Sequence, residues 1–75
     1  MKDIYVLTYH DGDVLYRGEG LIISLFDNYW KAKKFAIRTL QKEFPNSNIY
    51  GSDYEIVAEE NGNDIARIVI HPETL

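Results

Sequence analysis

The densest group of potential ligands in the chain is His10-Asp11-Gly12-Asp13, where an imidazole and two carboxylates could converge on a cation. Three donors on nearly adjacent residues make a poor cage, and Asp-Gly between two apolar runs is what a tight hairpin turn demands. No metal site is expected there. The other histidine, His71, lies at a strand end beside Pro72, where an edge or surface role is the ordinary one, and a His10–His71 metal pair would require the two strand ends to meet. Serine nucleophiles need a base and an orienting group, whereas Ser24 reads as a helix cap and Ser47 and Ser52 fall in loop chemistry. Glu59-Glu60 and Asp11/Asp13 supply paired carboxylates, but neighbours on a strand point to opposite faces and acids in turns are solvated. Gly18-Glu19-Gly20 lacks the further glycine and the Lys-Ser/Thr pair of a phosphate loop. The expectation is a protein without catalytic residues, cofactor or metal.

Charge is distributed unevenly. Residues 31–42 carry five basic side chains and no acid, while the rest of this 75-residue chain holds all twelve acids, for a net charge of −4. An acidic protein is poorly suited to general binding of nucleic acid, because phosphate neutralisation supplies most of that affinity. The basic strip Lys31, Lys34, Arg38 and Lys42, with Phe35 among them, is the exception: it could follow a phosphate backbone and stack one base. The acids Asp53, Glu55, Glu59, Glu60 and Asp64 gather around the third strand and its turn, where they could dock on a basic partner or discourage edge-to-edge aggregation.

These groups must be positioned by one small domain over residues 1–75, since a chain this short rarely supports a second core. Ile4 to Tyr9 read as a strand, and Asp11-Gly12 as a two-residue loop leading into Val14-Leu15-Tyr16. That register sets Tyr9 opposite Val14, Leu7 opposite Tyr16 and Tyr5 opposite Gly18, and puts Tyr5, Leu7, Tyr9, Val14 and Tyr16 in the core. A helix is expected to start near Ser24 or Asp27 and to end at Phe44 before Pro45. Its apolar stripe gathers Leu25, Phe26, Tyr29, Trp30, Ala32, Ala36, Ile37, Leu40 and Phe44. Lys33 falls inside this stripe, with its stem along the core or paired to a strand carboxylate.

After a loop through Gly51, Tyr54, Ile56 and Ala58 alternate with Glu55, Val57 and Glu59, and Asn61-Gly62-Asn63-Asp64 turns the chain into Ile65 to His71. Placing Ala66, Ile68 and Ile70 on the face of Ile56 and Ala58 requires an even pairing sum. This favours a three-residue loop, with Glu59 opposite Arg67, Val57 opposite Val69 and Glu55 opposite His71, and Pro72 ending the strand. The expected fold is therefore α+β, in the order ββαββ: a four-stranded antiparallel sheet with one helix packed on one face. Ile4, Val6, Leu15, Val57 and Val69 would leave the second face partly apolar and open to a dimer or a partner.

In size, acidity and lack of catalytic groups the chain resembles the small accessory proteins of bacteriophages and mobile elements, many of which inhibit a host protein. The resemblance implies an inhibitor of a host protein, and the residues themselves point to a non-enzymatic protein-binding module acting through the acidic hairpin or the partly apolar sheet surface. A nucleic-acid-binding accessory module using the basic helix face and a homodimeric structural protein are the alternatives. Absence of cysteine and of any long apolar run points to the cytoplasm, with no membrane partner.

Overall fold

The computed structural model describes residues 2–75, and its strands begin where β-branched and aromatic residues concentrate. β1 (Asp3–Asp11) leads through a single 3₁₀ turn, Gly12–Val14, and an irregular stretch to β2 (Leu21–Phe26). Then follow the helix α1 (Tyr29–Glu43), β3 (Asn48–Ser52), β4 (Glu55–Glu60) and β5 (Asn63–Thr74). Every pairing is antiparallel and the strand order is β2-β1-β5-β4-β3, so the chain's last strand is the centre of the sheet. The class is α+β as expected, with α1 packed on an antiparallel sheet, but the sheet has five strands rather than four. The additional strand is β3, whose Asn, Gly and Ser residues read as a loop.

On the helix side, Leu7, Ile56, Ala58, Ala66, Ile68 and Ile70 of the sheet meet Ala32, Ala36 and Leu40 of the helix in one buried cluster. Ala58 and Ala66 face each other across β4 and β5, and with two alanines on the helix they let the layers approach closely. Tyr5, Tyr9, Tyr29, Ile37 and Phe44 pack around the margin. Asn28 caps the helix by accepting a bond from the Lys31 amide (3.0 Å), and the last turn closes with Phe44 N–H donating to Leu40 O, just before Pro45. The helix therefore ends as expected but starts later. Ser24 lies instead in β2, opposite Leu7, and Trp30 is 71% exposed rather than part of the core. No helix among the described residues is long and apolar enough to cross a membrane.

The expected first hairpin does not form. Val14, Leu15 and Tyr16 make no strand, and β1 pairs instead with Leu21–Phe26: Tyr9 opposite Leu21, Leu7 opposite Ser24, Tyr5 opposite Phe26. A register shift beside Ile23 adds one residue to β2 and turns Ile23 toward the helix-side core. Val14 and Tyr16, expected inside, are exposed. The 12–20 segment folds over the far face of the sheet, the one away from the helix. Gly20 permits this: a β-carbon there would stand 2.6 Å from both His10 Nε2 and Tyr9 O.

The β4–β5 hairpin reaches the expected facing of side chains by another route. Asn61 and Gly62 both have positive φ (54° and 81°) and form the two-residue turn, with Glu60 opposite Asn63. A bulge between Ala58 and Glu59 then restores the parity, so that Ala58 faces Ala66, Val57 faces Arg67 and Glu55 faces Val69. Nor does Pro72 end β5, for it pairs with Tyr5. Ile70 N–H donates to Tyr54 O on the β4 side. Two residues on, the ring nitrogen of Pro72 points to that same side, past the end of β4 where no bond is lost.

Replacing Gly20 by alanine forces the 12–20 segment off His10. The expected cost is about 1–3 kcal/mol, read as a lowered urea midpoint, and an unchanged midpoint would contradict the close approach.

Candidate functional site

Two regions bring polar or accessible groups together: the far face under the 12–20 segment, and the edge of the sheet at β2.

On the far face the central residue is Arg67. Its Nε–H donates to Leu15 O (2.7 Å), its Nη1 contacts Glu55 Oε2 (2.9 Å), and the guanidinium lies over the Tyr16 ring, 4.9 Å from the centroid. Glu55 is the diagonal cross-strand neighbour of Arg67, two residues from the directly opposed Val57, which is fully buried. The Tyr16 hydroxyl donates to Asp64, and the Tyr50 hydroxyl donates to the other oxygen of the same carboxylate at 2.6 Å. These two phenols hold the Asp64 carboxyl below its ordinary range, and the shared carboxylate in turn raises both phenols.

Beside this network, Thr8 Oγ1 lies 2.9 Å from His10 Nε2 and 2.9 Å from His71 Nε2, while His10 Nδ1 is 3.1 Å from Val14 O. One set of proton positions satisfies all three bonds: His71 Nε2–H donates to Thr8, Thr8 donates to His10 Nε2, and His10 Nδ1–H donates to Val14 O. The two strand ends do meet, and the two histidines are joined through one hydroxyl. His10 is 5% exposed, and the relay opens into a cleft of about 460 Å³ whose walls include Val6, Ile22, Glu19 and Glu73. A nucleophile, base and orienting carbonyl stand in sequence here, as in acyl-transfer sites. The relay also ties β1 and β5 to the covering segment. Among the described residues no three His, Cys, Asp or Glu side chains are grouped to hold a metal ion.

The five acids of the proposed binding surface are divided. Glu55 is engaged by Arg67 and Asp64 by the two tyrosines. Asp53 sits in the β3–β4 turn, where its carbonyl accepts from the Tyr29 hydroxyl, while Glu59 and Glu60 lie half-buried at the opposite end of β4. Lys33 lines a groove with Ile37, Ile49 and Ile56, its ammonium 5.9 Å from the Tyr29 ring centroid. The stem-along-the-core reading is the one realised, and the single ion pair among the described residues is Arg67–Glu55.

At the other region, α1 runs back along β2. Phe26 shares a groove of about 260 Å³ with Lys31, Lys34, Phe35 and Arg38, and Ile23 and Tyr9 share the next with Phe35, Thr39 and Glu43. Lys31, Lys34 and Arg38 are therefore gathered beside the β2 edge, whereas Lys42 lies exposed near the end of the helix. Phe35 packs its ring on Phe26, 5.2 Å between centroids. Along the edge itself Leu21, Ile22 and Leu25 are 69%, 68% and 57% exposed. Sequence reasoning placed Leu25 and Phe26 in the helix and so missed this edge; the β-branched pair Ile22-Ile23 was the available signal.

Comparison with known protein families, with curated proteins and with solved structures finds no match.

The Asp64 bonds give a signed pH dependence. A carboxyl held below its unfolded value stabilises the fold above about pH 4 and loses that contribution as pH falls through the lowered folded value. The two raised phenols act in the opposite sense: their contribution is complete below about pH 10 and is lost as pH rises through their folded values. Asp64→Asn is expected to be less stable near neutrality and to show a shallower loss at both extremes in urea unfolding. Parallel pH profiles for the two proteins would contradict the assignment.

Proposed function

We propose that this chain is a non-enzymatic, cytoplasmic protein-binding module that takes a strand of its partner onto the open edge of β2. The observation that carries this reading is the edge itself. β2 is six residues, Leu21 to Phe26, with no charge and no proline, and it lies at the margin of the sheet. Natural edge strands are ordinarily blunted by such features. A row of free backbone donors and acceptors beside exposed leucine and isoleucine is suited to β-strand addition, in which main-chain bonds supply affinity and alternate side chains supply specificity. Each large apolar side chain so covered contributes up to about 1.5–3 kcal/mol. The other edge, β3, is shorter and carries Asn48, Gly51 and Ser52.

The competing readings fit less well. Thr8 and His10, the groups nearest to catalysis, are spent on their own relay. Glu55 and Asp64 are spent on Arg67, Tyr16 and Tyr50, which favours the β2 edge over the acidic hairpin as the binding surface. Phe35, the residue placed to stack a base in a nucleic-acid complex, is occupied by Phe26.

The test compares what the immobilised protein retains from nuclease-treated cell lysate with what its variants retain. Ile22→Lys is expected to lose the stoichiometric protein partner with an unchanged melting temperature, because this side chain is exposed, whereas a Glu59→Lys/Glu60→Lys variant keeps it. Retention by Ile22→Lys with loss in the double variant would transfer the function to the acidic hairpin. Retention that depends on omitting the nuclease would transfer it to the basic helix.

A further inference from the structure

The partner strand itself can be described from the two sides of β2. We infer that it alternates acidic and apolar residues over about six positions, with the acids on the helix side and the apolar residues on the far side. This inference rests on the strand-addition reading and specifies its ligand.

Pairing with β1 fixes which way each β2 side chain points. Ile22 faces Thr8 and Leu25 faces Val6. Thr8, Val6 and Ile22 line the far-face cleft, so Ile22 and Leu25 extend the far face outward as an apolar shelf. Ser24 faces Leu7 and Phe26 faces Tyr5, which are core-side residues, so they lie on the helix side. There the next position outward from β2 adjoins the groove formed by Phe26 with Lys31, Lys34, Phe35 and Arg38. An added strand therefore meets an apolar shelf on the far side and, on the helix side, three cations beside Phe26 with apolar Leu21 and Ile23 toward the other end.

Spacing supports the match. Lys34 and Arg38 are four residues apart on one helix, a rise of about 6 Å, and alternate residues of a strand are about 6.7 Å apart. Two acids at positions i and i+2 of the incoming strand fall in step with these two cations, and Lys31 extends the row toward the start of the helix. None of the three cations forms an ion pair among the described residues.

A second copy of this chain fits the same edge less well. In the two-fold register that pairs all six residues of β2, Leu21 would face Phe26, Ile22 would face Leu25 and Ile23 would face Ser24. It would offer no acid to the groove, however, and would leave Lys31, Lys34 and Arg38 of both copies without a counter-charge.

The test uses the full ¹⁵N-labelled chain and three synthetic peptides in which valine alternates with glutamate, glutamine or lysine. The glutamate peptide is expected to shift the backbone amides of residues 21–26 and those of Lys31, Lys34 and Arg38. It should bind about threefold to tenfold more tightly than the glutamine peptide at low salt, and the advantage should shrink at high salt. The exposed substitutions Lys34→Glu and Arg38→Glu, made together, should transfer the preference to the lysine peptide. Equal binding of the glutamate and glutamine peptides at β2 would overturn the acid preference and leave the edge reading standing. No shift at β2 with any peptide would overturn both. A dimer in sedimentation that Ile22→Lys dissociates would assign the edge to a second copy and overturn the acidic-strand assignment.

Discussion

Arg67 stands on the far face of the central strand, where a guanidinium stripped of water and left without partners would cost several kcal/mol. Its satisfaction organises everything on that face. Glu55 supplies the counter-charge from β4, Leu15 supplies a carbonyl from the covering segment, and the Tyr16 ring supplies a π-face. Two of these three partners come from residues 12–20, so the arginine fixes where that segment lies. Tyr16 then reaches Asp64 and Tyr50, and His10 holds Val14 from the neighbouring strand. Because residues 12–20 are drawn across the face and do not turn back beside β1, the partner strand of β1 has to begin at Leu21. The uncharged run 21–26 thereby becomes the open margin of the sheet.

This arrangement also answers how so short a chain is held together without disulfides. A single helix on one side of a five-stranded sheet leaves the other side wet, and domains of this size have little apolar burial to spare. Val57 is completely buried on the far face and the covering segment lies against His10, so the sheet is covered on both sides, by carbon on the helix side and by a mostly polar network on the far side. The network carries specificity as well as stability, because each member satisfies another: the Asp64 carboxylate takes two phenols, and Thr8 takes two imidazoles.

Much of this was legible in the sequence where local chemistry and tertiary packing agree. The helix end at Phe44-Pro45, the buried faces of β4 and β5, and the small residues Ala32 and Ala36 all follow from periodicity and from proline. The errors arose where one local signal admitted two structures. Asp11-Gly12 satisfies a hairpin and equally a 3₁₀ turn, and the choice is made by Arg67 from fifty residues away. Asn61-Gly62 seemed to put the hairpin out of register, because a bulge beside Ala58 is invisible to a rule that counts pairs. β3 was missed because Asn, Gly and Ser carry little strand propensity, and it forms because β4 offers it an edge. The grouping of Lys31, Lys34 and Arg38 on one helix face was legible from their spacing. Its neighbour β2 was not, since Leu25 and Phe26 fit a helical stripe as well as they fit a strand.

Amide hydrogen exchange along β2 in the free protein tests the central claim most directly, because it reports whether the outer row of backbone groups is open. The account predicts alternation: amides directed at β1 exchange slowly, those directed outward exchange at rates close to those of unstructured peptide, and the pattern is independent of protein concentration. Uniformly slow exchange across residues 21–26 would contradict it, since the edge would then already be covered.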